Sequence, residues 1–219
     1  MNRKPSLIHI PFGLHSDAIE ALEAGDAVGF LCKAGNEYGL DLVLANCEIL
    51  AEKGIYESAL IHAFVNTRTN NAKWTQRELV QLFTVSSRER FLSAGDPLPG
   101  PGPFTLYRGV AGGGAQRRER GLSWTSDLDL AWWFAYRGAD WGLPNPGVVT
   151  ATVAAKYVIA HVHTAGRRES EFIVLLPKNV KLGHRPTAEG RECANRYQQR
   201  KQEELAHLIE SLSKKGNAE

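Results

Sequence analysis

The sequence predicts an α+β protein in which an N-terminal helical bundle precedes a β-rich core. Two observations carry this. Apolar residues recur at helical spacing through residues 1 to about 93, whereas beyond residue 104 the chain turns to short runs rich in β-branched and aromatic residues. Between them lies AGDPLPGPGP, residues 94–103, whose four prolines remove backbone donors and whose three glycines add freedom, so no regular element should cross it.

Within the helical part, Ser16 and Asp17 open a short helix that runs through Glu23 and stops at Gly25. LDLVLANCEILAEKG has helical spacing before a glycine stop, and IYESALIHAFVNTR places Ile55, Ala59, His62 and Phe64 in a broad apolar stripe. Thr75 and Glu78 form a capping-box pattern ahead of Leu79, Leu82 and Phe83. The expected strands are FTLYRGV, GLSWTS, VVTATVA, AKYVIAHVHT and EFIVLLP. One helix over residues 128–137 interrupts them, with Leu128, Ala131, Trp132 and Ala135 on one face and Ser126, Asp127 and Asp129 at its capped start. Beyond Pro186 a charged helix carries Tyr197, Leu205, Leu208, Ile209 and Leu212 as its apolar positions and frays at SKKGNAE. The expected domains are therefore a helical accessory or target-recognition domain at 1–93, a linker at 94–103, a β core at 104–186 and a C-terminal helix at 187–219.

Composition narrows the function classes. The 219 residues are 43% hydrophobic and 23% charged, as expected of a globular protein with a substantial core. The longest apolar runs are too short to cross a bilayer, so no membrane partner is expected. The basic start MNRKPSLIHIPFG lacks the apolar stretch of a secretory leader, and a cytoplasmic setting is expected. With 26 basic and 24 acidic residues the charge balance neither demands nor excludes nucleic acid. In the tail Arg191, Arg196, Arg200 and Lys201 alternate with Glu203, Glu204 and Glu210, which reads as a solvated face. Cys32, Cys47 and Cys193 lack the spacing of a zinc site, and no metal is expected.

Three short motifs carry chemistry. Glu169 and Glu171 stand two positions apart at the mouth of an apolar strand, where period-two geometry sends both to one face and each raises the other's proton affinity. Either Arg167 and Arg168 pair with them, or the two acids form part of a site. Arg108 sits inside the apolar strand LYRGV, where its planar fork suits a phosphate or a carboxylate, and Gly109 lets a ligand approach the main chain. Ser123 and Thr125 point to one face of SWTS, Trp124 and Ser126 to the other. Of the aromatic residues Trp132, Trp133, Phe134 and Tyr136, one is free to serve as a stacking wall for a flat heterocycle.

In this order the motifs Tyr107-Arg108-Gly109, Ser123-Trp124-Thr125-Ser126 and Glu169-Ser170-Glu171 resemble the arginine, serine, glutamate class of mono-ADP-ribosyltransferases. The similarity spans roughly residues 104–182 and departs at the middle motif. There the family's Ser-Thr-Ser aligns best with Trp124-Thr125-Ser126, so that either Ser123 or Thr125 must supply the hydroxyl.

The resemblance implies a split β-sandwich core that holds NAD as co-substrate. It assigns Arg108 to the phosphate or ribose side of NAD, Gly109 to the nicotinamide amide through its backbone, and Glu171 to a ribose hydroxyl. Tyr107 and Phe134 join the NAD-binding set, and Trp141, in the loop 137–147, either covers the nicotinamide or anchors the turn as a core contact. Glu169 becomes the acceptor-side group, facing an arginine of a protein target, with the loop HTAGRR ahead of it. A bacterial or phage effector, toxin-like or directed at a host or defence protein, would use such an activity. The same fold also supports an NAD glycohydrolase, with water as acceptor, and a protein-interaction or inhibitor scaffold would need no NAD at all.

Overall fold

The structure is a computed structural model that describes residues 3–67, 73–164 and 169–216. The architecture is α+β: N-terminal helices followed by a multi-strand antiparallel sheet. The helices are α1 (His15–Glu23), α2 (Ala27–Cys32), α3 (Gly39–Ala45), α4 (Cys47–Glu52), α5 (Tyr56–Asn66), α6 (Gln76–Leu82) and α7 (Arg88–Ala94). After the Pro/Gly segment come β1 (Phe104–Val110), β2 (Ser123–Thr125), α8 (Leu128–Asp140), β3 (Gly147–Val153), β4 (Val158–Thr164), β5 (Glu169–Val174), β6 (Gly183–His184) and α9 (Gly190–Gly216). The six strands are ordered β4-β5-β2-β1-β3-β6, and β1–β2, β1–β3 and β3–β6 pair antiparallel. Among the described residues no helix is long and apolar enough to cross a membrane.

The chain divides into two compact units. The first comprises Met1–Pro101, Val158–His163 and Glu171–Leu175. Its core gathers Phe30, Leu40, Leu42, Leu50, Leu60, Phe83 and Phe91, all essentially inaccessible to solvent. Thr75 and Glu78 satisfy each other's backbone donors at the start of α6, as their spacing foretells. Helical spacing over LDLVLANCEILAEKG does not yield one helix. Asn46 stands at φ −122° and separates α3 from α4, because its buried amide donates to the Leu42 and Ser6 carbonyls and accepts from the Ser6 N–H. The segment after α7 is tied down within the same unit: Asp96 N–H donates to the His161 carbonyl at 2.8 Å, and His163 N–H donates to the Asp96 carboxylate at 2.6 Å.

The second unit comprises Gly102–Tyr157, Thr164–Ser170 and Leu176–Glu219. Strand β1 pairs along its whole length with β3, from Phe104 opposite Val153 to Val110 opposite Gly147. Helix α8 starts where Asp127 accepts from the Asp129 and Leu130 N–H groups, so Asp127 is the cap. It runs to Asp140, three residues beyond the predicted end, which leaves only the second half of the stretch 137–147 as a loop. Ala131, Trp132 and Ala135 bury against Val148 of β3 and against Cys193 and Ala194 of α9. Helix α9 persists into SKK, where fraying was expected. Its apolar positions split: Tyr197 is buried while Leu205, Leu208 and Ile209 are exposed, and the Leu212 side chain lies outside the described residues.

Candidate functional site

The register of β1 fixes which of the singled-out groups share a face. Tyr107 lies opposite Thr125 of β2 and Gly109 opposite Val148 of β3. By the two-residue period, Tyr107 and Gly109 fall with Ser123 and Thr125 on one face, and Arg108 falls with Trp124 on the other. The first is the α8 face: a Cβ on Gly109 would stand 2.2 Å from the Ala131 carbonyl oxygen and 2.7 Å from the Ala135 nitrogen. Glycine at 109 is therefore demanded by helix packing. Thr125 accepts from the Asp127 N–H at 3.1 Å and so supports the start of α8. Tyr107 accepts a hydrogen bond from Arg185 at 3.2 Å, and the Arg185 guanidinium also lies over its ring.

Arg108 occupies the opposite face with Leu106 and Val110 and is 9% exposed. Its Nε donates to the Arg118 carbonyl at 2.9 Å and its Nη1 to the Ser123 carbonyl at 2.6 Å. The guanidinium lies flat against Gly121, where an added Cβ would come within 2.4 Å of it. Trp124, on that face, is buried and donates through Nε1 to the Gly121 carbonyl at 2.7 Å. Ser123 thus meets Arg108 through its carbonyl, and the hydroxyls of Ser123 and Thr125 are directed to the other side of the sheet.

Glu169 and Glu171 open β5 half-buried, two residues apart on the same face, and the chain then dives into Phe172, Ile173 and Val174, each at most 1% exposed. Glu169 accepts from the Tyr197 hydroxyl of α9 at 3.0 Å. Burial, then the charge and hydrogen bond of Glu169, push the Tyr197 phenol far above its ordinary range. The expected partners Arg167 and Arg168, like most of the HTAGRR loop, lie outside the described residues.

Around Tyr197 the α9 face is built from positions 193, 196, 197 and 200, neighbours on a helix surface. Arg196 donates to both carboxylate oxygens of Asp129 at 2.7 and 3.2 Å, and Arg200 bridges Asp129 at 2.9 Å and Asp127 at 2.6 Å. Burial alone would raise the Asp129 carboxyl. Hydrogen bonds from Arg196 and Cys193 and the charges of Arg196 and Arg200 hold it below its ordinary value. These arginines serve as an internal clamp, and Arg191 lies 4.1 Å from the centre of the Tyr136 ring.

Aromatic groups continue from Tyr197. Its ring meets Trp133 at 5.3 Å, Trp133 meets Phe134 at 5.1 Å, and the Arg137 guanidinium lies over both Trp133 and Trp141. Phe134 and Trp141 are 41% and 55% exposed, so both rings reach solvent, with Arg137 over one face of Trp141. An open cleft of about 540 Å³ in this unit is lined by Gly112, Gly113, Arg117, Tyr136, Asn145 and neighbouring residues, and of the groups singled out in the sequence it includes Tyr136 but not Arg108, Ser123, Thr125, Glu169 or Glu171.

Among the described residues no cluster of three or more His, Cys, Asp or Glu could hold a metal ion. The sequence marks Tyr197 only as an apolar position and Arg196 and Arg200 only as a solvated face, whereas Tyr197 meets Glu169 and the two arginines pair with Asp129 and Asp127. Comparison with protein-family models, with characterised proteins and with solved structures finds no match to this chain.

Proposed function

We propose that the chain is an NAD-dependent mono-ADP-ribosyltransferase that transfers ADP-ribose to an arginine of a protein target and releases nicotinamide. The observation that carries this reading is the Glu169–Glu171 pair, two half-buried carboxylates held on one face at the entrance of a buried strand. The partly exposed rings of Phe134 and Trp141 suit the flat heterocycle of a dinucleotide. In the reaction the bond between ribose C1′ and the nicotinamide nitrogen breaks, and its electron pair leaves with nicotinamide. Positive charge then develops on the ribose, and the fixed Glu171 carboxylate stabilises charge that exists only in the transition state. Glu169 binds the incoming guanidinium and takes its proton as the new C–N bond forms. As a bacterial or phage effector, such an enzyme would inactivate a host or defence protein. With water as acceptor the same site would be an NAD glycohydrolase.

A second reading, a non-catalytic interaction protein, draws on a different observation. Arg108 spends Nε and Nη1 on main-chain carbonyls and Gly109 accommodates α8, as internal struts would. Incubating the full chain with NAD labelled on its adenosine, together with agmatine or a host lysate, separates the readings. Label on a guanidinium, located by mass spectrometry, is the expected result. Free ADP-ribose without labelled acceptor means hydrolysis, and intact NAD leaves the interaction reading.

A further inference from the structure

Helix α9 follows the segment in which the sequence motifs lie, yet it delivers a side chain to one of them. Cys193, Arg196, Tyr197 and Arg200 share a helix face. Arg196 and Arg200 fasten that face to Asp129 and Asp127 at the start of α8, and Tyr197, lying between them in sequence, is brought to Glu169. Tyr197 is 6% exposed and its ring is tilted against Trp133, so its position is set by packing as well as by the hydrogen bond. The hydroxyl donates to Glu169 Oε1 and so anchors one oxygen of the carboxylate against α9.

We propose that Tyr197 is a positioning residue for Glu169, so that α9 is a working part of the acceptor side of the site. This rests on the transferase reading. A guanidinium acceptor meets a carboxylate already oriented by Tyr197. Water, small and unoriented, needs no such arrangement. Tyr197 should therefore govern transfer far more than hydrolysis.

The test uses the full chain as wild type, Tyr197→Phe, Glu169→Gln and the double variant, with NAD and with agmatine as acceptor. Nicotinamide release without agmatine reads hydrolysis, and ADP-ribosyl-agmatine reads transfer. Phenylalanine retains the ring beside Trp133, and thermal melting checks that the fold is kept. Tyr197→Phe should cut transfer roughly tenfold, the loss expected for one hydrogen bond to a charged group, with hydrolysis changed less than about twofold, a surface-scale effect. In the Glu169→Gln background the same substitution should cost nothing more, because the two residues act as one unit.

Transfer at the wild-type rate by Tyr197→Phe, equal loss of both activities, or additive losses in the double variant would overturn the proposal. Absence of nicotinamide release by the wild type would remove the transferase reading and this proposal with it, whereas release with an indifferent Tyr197→Phe would remove the proposal alone.

Discussion

The two faces of β1 do different work. One face, with Tyr107 and Gly109, is spent on α8, whose backbone comes so close that no side chain fits at position 109. The other carries Arg108, enclosed with Leu106 and Val110 and bonded to the carbonyls of Arg118 and Ser123. Adjacent residues that a motif binds into one ligand role are separated by the pleat. A tripeptide motif on a strand thus describes two surfaces, and only the residues of one parity can act together. Glu169 and Glu171 satisfy that condition; Arg108 and Gly109 do not meet it with their side chains.

Gly109→Ala places a side chain on the α8 face. Its methyl group would sit within 2.7 Å of two α8 backbone atoms that cannot swing aside, so the variant should lose about 3 kcal/mol or more of stability and melt early, with or without NAD. A protein that tolerates alanine there would show that α8 does not require the glycine. On the other face, Arg108→Leu leaves the Arg118 and Ser123 carbonyls without their donor in a nearly solvent-free setting. A loss of about 2–3 kcal/mol in urea unfolding is expected, less than for Gly109→Ala. An unchanged midpoint would contradict the strut component of Arg108.

A smaller effect sharpens the view of α9. Asp129→Asn removes the charge that Arg196 and Arg200 share, and the melting temperature should fall by about 2–4 °C. Acid should mimic it. The Asp129 carboxyl is depressed in the folded protein, so its contribution is complete above the ordinary carboxyl range, about 3.9, and is lost as pH falls through the lower folded-state value. Melting curves of the wild type and Asp129→Asn should therefore converge toward acid pH. Curves that stay parallel below that range would show that the clamp does not depend on this charge.

Much of the fold was legible because its signals are local. The Thr75–Glu78 box, the Asp127 cap and the β-branched runs of β1 and β3 each act within a few residues. Asn46 misled because an asparagine inside a helical pattern looks tolerable until its amide finds the Ser6 backbone, forty positions away. Helices α2 and α7 are short enough for their periodicity to be faint, and β6 pairs through only two residues. In the site, the acid pair and the buried arginine were visible as residue types out of place in apolar strands. The contact of Tyr197 with Glu169 joins residues 28 apart through the docking of a whole helix, and no local pattern encodes it.

Nicotinamide release from NAD by the wild type and by Glu171→Gln, each shown to be folded, decides whether the Glu171 carboxylate stabilises the charge left as nicotinamide departs. Glutamine keeps the shape and hydrogen-bonding reach but removes the anion. The expected result is measurable release by the wild type and a rate about a hundredfold to a thousandfold lower in the variant, the scale of losing one preorganised electrostatic contact. Equal release by both proteins, or none by the wild type, would contradict it.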